Sequence, residues 1–102
     1  MLELRPICEN CATELPPAST DAMICSYECT FCRDCVSGVL DNVCPNCGGG
    51  FVPRPIRPAR AWRDGVSLGH DPASTTQKHR PVDPDRHADF ADSIRAIPPQ
   101  DR

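Results

Sequence analysis

Four close pairs of cysteines, all within the first 47 residues, constrain the fold of this chain more than any other feature. The spacing is Cys-x2-Cys-x13-Cys-x3-Cys-x2-Cys-x2-Cys-x8-Cys-x2-Cys, and the eight candidate ligands are Cys8, Cys11, Cys25, Cys29, Cys32, Cys35, Cys44 and Cys47. Short regular pairs of this kind are typical of structural metal sites. The sequence therefore predicts a small domain that is held together by metal.

The cysteine-rich segment, which we take as residues 1–52, is too short to be stabilised comfortably by apolar burial alone. The N-terminal residues lack the basic region and apolar run of a secretion signal, and no apolar stretch approaches the ~18 residues of a membrane span. We therefore expect a cytoplasmic protein without membrane contact. Thiols stay reduced in that compartment, which favours bound metal over disulfide bonds.

Net charge varies along the chain in a way that argues against nucleic-acid binding. Residues 1–47 carry a net charge of −5, residues 48–63 carry +4, and residues 64–102 carry −2. Two zinc ions, each held by four thiolates, would make the cysteine-rich segment more negative still. Nucleic acid therefore remains only an alternative partner, which would bind the arginine stripe from Arg54 to Arg63.

Apolar spacing predicts an α+β core around the central cysteines. Short runs indicate two strands, one around Met23–Ile24 and one around Thr30–Phe31, joined by a turn. Apolar residues then recur at three- and four-residue spacing, which predicts a short amphipathic helix over residues 33–41. Phe51 and Val52 are the last residues expected in the core. The prediction is a metal-stabilised ββα domain over residues 1–52.

The rest of the chain is predicted to be a largely disordered tail. Residues 53–82 form a linker rich in proline and arginine, whose arginines recur every third residue from Arg54, the repeat of a polyproline II helix. Asp83 and Pro84 are suitable residues to begin a short amphipathic helix over residues 83–97. Residues 98–102 are expected to be a disordered terminus. All three histidines lie in this tail and are expected to be exposed.

Eight cysteine ligands are enough for two zinc ions, each bound by four thiolates. We favour an interleaved arrangement, because joining the first pair to the third and the second pair to the fourth ties the whole segment into one unit. One ion is then bound by Cys8, Cys11, Cys32 and Cys35, and the other by Cys25, Cys29, Cys44 and Cys47. A sequential pairing stays open, and an iron–sulfur cluster is a less favoured alternative.

The cysteine spacing resembles that of the RING-type cross-brace zinc fingers over residues 7–52. The match is best in Cys29-Thr-Phe-Cys32-Arg-Asp-Cys35-Val and in the later Cys44-Pro-x-Cys47. This resemblance implies a treble-clef-like ββα core and a ubiquitin-ligase activity, in which the domain docks a conjugating enzyme. The positions that commonly support docking differ in this chain, since they hold Glu9, Asn10, Val39, Leu40 and Gly48.

The N-terminal half also resembles a family of short bacterial cysteine-rich proteins that begin Leu-Glu-Leu-Arg-Pro and are known only as a domain of unknown function. No histidine lies in the folded half to activate a serine, and coordinated cysteines are poor nucleophiles. We therefore interpret the protein as a monomeric adaptor that binds a protein partner and is not an enzyme. A ubiquitin-ligase-like enzyme and a nucleic-acid-binding protein remain the alternatives.

Overall fold

A small antiparallel sheet and a short helix form the centre of the molecule in a computed structural model that describes residues 1–102. The elements are β1 (Ala22–Ile24), β2 (Thr30–Cys32), α1 (Arg33–Gly38), β3 (Val52–Pro53), α2 (Pro84–Ala91) and a single 3-10 turn (Pro99–Asp101). The strand order is β2-β1-β3, and β1 pairs antiparallel with both neighbours. The fold is therefore a small α+β structure, as the sequence predicted.

The hairpin between β1 and β2, together with the start of α1, carries four of the eight cysteines, two for each predicted metal site. Its turn is closed by a hydrogen bond from Glu28 N to Cys25 O (3.0 Å), and Glu28 takes a left-handed conformation with φ 67°. Because β2 leads directly into α1, Cys32 at the end of the strand is followed by Cys35 in the first turn of the helix. The tight hairpin thus sets the positions of the central cysteines.

The hydrophobic core lies between the sheet, α1 and the chain around residue 51. Phe31 from β2 meets Phe51 edge to face, with 5.5 Å between ring centroids and 80° between ring planes. Leu15 and Leu40 pack into the same fully enclosed cluster as the buried cysteines. Burying side chains of this size stabilises a fold by roughly 1.5–3 kcal/mol each.

Several local details differ from the prediction. Helix α1 ends at Gly38 rather than near residue 41, since Asp41 and Asn42 have φ angles of 51° and 56° that cannot continue a helix. Phe51 is buried as expected, but Val52 is exposed on a third strand that the apolar pattern did not indicate. A strand of only two residues is too short to have a recognisable alternation.

The expectation of a disordered tail is wrong, because residues 53–102 lie along the cysteine-rich segment in a defined conformation. The Arg54 side chain is buried and donates hydrogen bonds to the carbonyl oxygens of Arg5, Leu15 and Pro16 at 2.9–3.2 Å. Arg57 donates to Leu2 O and Asp71 O, both at 2.7 Å. Hydrogen bonds from arginine to backbone carbonyls need no repeating pattern of apolar residues. The spacing of apolar residues in the sequence therefore could not predict that the tail docks on the cysteine-rich segment.

The C-terminal residues are also attached to the cysteine-rich segment, contrary to the predicted disordered terminus. Helix α2 begins with Asp83 as its N-cap and Pro84 in its first turn. His87 on this helix is buried rather than exposed, and its Nε2 donates to Leu40 O at 2.9 Å. Arg102 then donates to Asn42 O at 2.7 Å. No helix in the fold has the length and apolar character needed to cross a membrane.

Candidate metal centres

The first and last cysteine pairs sit in turns of the same shape. In one, Ala12 N donates to Cys8 O at 3.0 Å, and in the other Gly48 N donates to Cys44 O at 2.8 Å. The residue after each pair is left-handed, with φ 63° at Ala12 and 79° at Gly48. Each turn points both of its cysteines toward another pair of cysteines. We call these two turns the first and the last knuckle, since they have the shape of the knuckles found in metal sites.

The first knuckle meets the end of β2 and the start of α1. The sulfur atoms of Cys8, Cys11, Cys32 and Cys35 all lie within 4.8 Å of one another. The Sγ atoms of Cys11 and Cys32 are 3.7 Å apart, too far for a disulfide bond, and all eight cysteines are free. The fold therefore brings together the first and third pairs, as in the interleaved arrangement.

The last knuckle meets the end of β1. The sulfur atoms of Cys25, Cys44 and Cys47 lie within 4.8 Å of one another, while that of Cys29 falls outside this limit. Cys29 still has the thiols of Cys25 and Cys44 as neighbours. Three of the four cysteines predicted for this site therefore have their sulfur atoms close together. The fourth, Cys29, lies next to this group.

Both sulfur groups fit a single tetrahedral ion. Zinc binds thiolates at about 2.3 Å, which places sulfur atoms about 3.8 Å apart around a tetrahedron. The 3.7 Å between Cys11 and Cys32 matches this spacing. An iron–sulfur cluster would hold its four cysteines farther apart as a set, because they are shared among two or four irons at the edge of the core. The donor set and its spacing therefore favour mononuclear metal sites.

Burial has a clear effect on the thiols. It raises the pKa of Cys29, Cys32, Cys35 and Cys44, because an enclosed apolar environment disfavours the thiolate. Cys11 is the exception: burial acts in the same direction, but hydrogen bonds from the Thr13 backbone and from neighbouring thiols lower its pKa overall. A divalent cation would offset the cost of the buried thiolates, as occurs in structural metal sites.

Two asparagines contact these sulfur atoms, and the sequence analysis predicted neither contact. Asn10 Nδ2 donates to Cys35 Sγ at 3.2 Å, and Asn46 Nδ2 donates to Cys29 Sγ at 3.4 Å. The sequence carried a signal for both, since the outer pairs read Cys-Glu-Asn-Cys and Cys-Pro-Asn-Cys. Hydrogen bonds to ligand atoms orient the ligands and tune a metal site.

A buried ion pair fixes the first knuckle against the sheet. Glu9 Oε2 accepts hydrogen bonds from Thr30 N at 2.6 Å and from Arg5 Nη1 at 2.9 Å. Glu9 is only 4% exposed, so this carboxylate is almost fully removed from solvent. Buried charges need such partners, and these bonds tie the knuckle to β2.

The predicted arginine stripe does not form one continuous edge. Arg54 is 4% exposed and Arg57 is half-buried, and both bind backbone carbonyls of the cysteine-rich segment. Only Arg60 and Arg63 remain exposed. Burial lowers the pKa of the Arg54 guanidinium, which has carbonyl oxygens but no carboxylate as hydrogen-bond partners.

The fold and its sulfur groups define a class, that of small α+β proteins with thiol sites able to hold metal ions. The chain belongs to the family described as "Protein of unknown function (DUF1272)", whose model matches residues 1–57. It is 52% identical over 81 residues to an uncharacterized protein, R02474, of Rhizobium meliloti (strain 1021). The match spans 79% of this chain and 89% of that protein. No solved structure matches the chain.

Proposed function

We propose that this protein is a two-zinc structural module of RING-like cross-brace type that serves as a protein-interaction adaptor. The observation that carries the proposal is the sulfur geometry, above all the four sulfurs of the first site within 4.8 Å and the Cys11–Cys32 separation of 3.7 Å. Zinc, when bound, would close each site and supply much of the folding free energy.

The proposed ligands of the first zinc are Cys8, Cys11, Cys32 and Cys35, and those of the second are Cys25, Cys29, Cys44 and Cys47. Cys29 completes the second set because it neighbours two of the other three thiols and accepts a hydrogen bond from Asn46. A small movement of its sulfur toward the other three would give a full thiolate quartet. This interleaving is what makes the module a cross-brace, and with it a treble-clef-like unit.

A structural role for zinc fits these sites better than a catalytic one. Catalytic zinc keeps a coordination position open for water or substrate, and four thiolates leave none. A non-enzymatic adaptor is therefore the favoured role. Exposed large apolar side chains support this role. Tyr27 is 74% exposed, and elsewhere on the surface Met1 and Val52 line an open groove. Exposed apolar surface of this kind is typical of sites that bind proteins.

The ubiquitin-ligase alternative has less support, because the tail covers positions at which such an activity would need a free surface. Arg80 N donates to Glu9 O at 2.7 Å, and His87 caps the carbonyl of the fully buried Leu40. Phe90 and Ile94 lie beside Gly48. The nucleic-acid alternative is weakened in the same way, since two of its four arginines are engaged within the chain.

Metal analysis of the purified full-length chain tests the zinc assignment. We expect two zinc ions per chain, a colourless protein, and thiols that react with a thiol reagent only after zinc is removed. Cys29→Ser should leave one tightly bound zinc and one weakened site, whereas Ser26→Ala in the same hairpin should leave both intact. A metal-free folded protein would contradict the proposal, and so would a brown one with visible charge-transfer absorption.

The adaptor role needs a separate test, made with the intact protein and a Tyr27→Ser variant. We expect a defined set of cellular proteins to be retained by the wild-type chain and lost with the variant, while an exposed-site control, Lys78→Ala, retains them. Equal retention by all three proteins would argue against an apolar docking surface around Tyr27.

A further inference from the structure

The Asn10 side chain contacts both the first metal centre and the tail. Its Nδ2 donates to Cys35 Sγ at 3.2 Å, and its Oδ1 accepts a hydrogen bond from Val82 N at 2.8 Å. The two ends of one amide group therefore join a proposed zinc ligand to a residue 72 positions away in the sequence. No other side chain bonds both a cysteine sulfur and the tail.

Only one orientation of the Asn10 amide satisfies both partners. Val82 N is a donor and needs the oxygen, so the NH2 group must face the sulfur of Cys35. Zinc binding requires the thiolate form of cysteine, and a charged acceptor holds a donor more strongly than a neutral thiol does. A metal ion in the first site would therefore fix the amide in the orientation that Val82 requires.

The backbone of the same knuckle provides the neighbouring attachment points for the tail. His79 Nε2 donates to Asn10 O at 3.1 Å, and Arg80 N donates to Glu9 O at 2.7 Å. Residues 79–82 thus dock on the two residues between Cys8 and Cys11. Zinc shared by those two cysteines would add to the contacts that hold the knuckle in shape, so the docking surface would be held most firmly when the first site is occupied.

We propose that Asn10 is a positioning residue that makes docking of the tail, from residue 79 through α2, depend on metal in the Cys8 site. The tail is then a metal-responsive cover over the face formed by Glu9, Leu40 and Gly48. This inference rests on the proposed zinc sites but adds a link between occupancy of one site and exposure of a surface. The tail also contacts the last knuckle, where Arg102 donates to Gly48 O at 3.3 Å. No side chain joins the sulfur atoms of the second site to the tail, however, because Asn46 bonds Cys29 and makes no hydrogen bond to the tail.

The pair Asn10→Asp and Asn46→Asp tests this proposal on the full-length zinc-loaded chain. Each variant replaces an amide donor that faces sulfur with a carboxylate oxygen, and Asn10→Asp keeps the oxygen that accepts from Val82. If Asn10 were only a direct anchor for the tail, the aspartate would hold Val82 as well as before. If Asn10 instead couples the first metal site to the tail, repulsion between the aspartate carboxylate and the Cys35 thiolate should turn the side chain away and release the tail.

We expect Asn10→Asp to speed amide hydrogen exchange of residues 82–91 by about tenfold or more, while Asn46→Asp leaves that exchange as in the wild type. Both variants should shift the thiolate-to-cobalt absorption of the cobalt-substituted protein. Unchanged exchange in Asn10→Asp, or equal acceleration in both variants, would overturn the proposal. Zinc content measured on the same samples separates this failure from failure of the zinc assignment.

A zinc titration of the wild-type chain covers the case in which Asn10→Asp does not fold. Cysteine 13Cβ shifts report which site is occupied, and amide exchange reports whether residues 82–91 are docked. Protection of these amides should follow occupancy of the site formed by Cys8, Cys11, Cys32 and Cys35. Protection that instead follows the second site, or that is complete before zinc binds, would contradict the proposal.

Discussion

The cysteine-rich segment (residues 1–52) and the tail (residues 53–102) are ordered by different kinds of contact. Of the buried apolar residues, all but Ala91 lie in the cysteine-rich segment, packed with the thiols around Phe31. The tail buries mainly polar groups, namely Arg54, Ser67 and His87. Its main contacts are hydrogen bonds to backbone carbonyls of the first segment.

This difference implies a hierarchy between the two regions. A hydrogen bond contributes only about 0.5–1.5 kcal/mol net, and each of these bonds requires a carbonyl that the other region has already placed. The tail therefore depends on the cysteine-rich segment for its order, and the proposed zinc ions would in turn stabilise the cysteine-rich segment. Regions with little apolar burial are also those that open first, so the tail should open without unfolding the rest of the protein.

The largest expected effect comes from Cys32→Ser, which removes a ligand at the junction of β2 and α1. Structural zinc supplies about 10–16 kcal/mol in small zinc domains, as much as the whole stability of a typical domain. We expect the tail to be released and the cysteine-rich segment to lose much of its stability, with loss of amide dispersion for the tail in the NMR spectrum. Ser37→Ala on the exposed face of α1 is the control and should change the free energy of unfolding by less than about 0.5 kcal/mol. A Cys32→Ser protein whose tail stays docked would contradict the hierarchy.

Arg54→Lys should have the next largest effect. A lysine cannot reach the three carbonyls that the guanidinium contacts, and its charge would stay in a site where Arg54 is 4% exposed. We expect the free energy of unfolding to fall by about 2–3 kcal/mol in urea titrations at saturating zinc. Arg60→Lys, at an exposed position of the same stripe, should leave it unchanged. Equal effects at the two positions would mean that the buried contacts of Arg54 do not stabilise the fold.

His87→Ala tests whether the tail opens independently. The variant loses the hydrogen bond to Leu40 O, which should weaken docking of α2 by about 1–2 kcal/mol. We expect faster amide exchange in α2 with an unchanged urea midpoint for the cysteine-rich segment. His70→Ala, in an exposed part of the tail, is the matched control. A lower midpoint for the whole protein would show that the two regions unfold as one unit.

The smallest expected effects concern the two knuckle turns. Ala12 and Gly48 occupy the same left-handed position, which costs a residue with a Cβ about 1 kcal/mol. Ala12→Gly should therefore stabilise the protein and Gly48→Ala should destabilise it, each by about 0.5–1 kcal/mol in thermal denaturation. At Gly48 an added Cβ meets only ordinary contacts, 3.7 Å to Ile94 and 3.8 Å to Phe90. Changes of the same sign in both variants would mean that the two turns are not equivalent.

The sequence was sufficient to predict the parts of the fold that depend on spacing. Cysteine pairs at regular intervals located the sulfur groups, and the apolar run through Phe31 located the hairpin. The Asp83-Pro84 pair coincided with the start of α2. These features are local, so neighbouring residues carry all the information needed to recognise them.

The docked tail could not be predicted in the same way, because its contacts join distant residues without a repeating pattern. Arg54 reaches Arg5 O across 49 positions, and Arg57 reaches Leu2 O across 55. The carbonyls that accept these bonds exist in every residue and leave no trace in the sequence. Asn10 is intermediate: it lies in a Cys-x-Asn-Cys motif that our prediction of the metal ligands did not use, and its bond to Val82 required the structure.

The most direct test of the hierarchy is stepwise removal of metal from the full-length protein, followed by native mass spectrometry together with residue-resolved amide exchange. We expect two zinc ions per chain at the start. Amide protection in the tail should be lost when zinc leaves the Cys8 site, and protection in the β1–β2 hairpin only as the remaining metal is removed. A chain that binds no zinc, or a tail that stays protected after both ions are gone, would contradict this hierarchy.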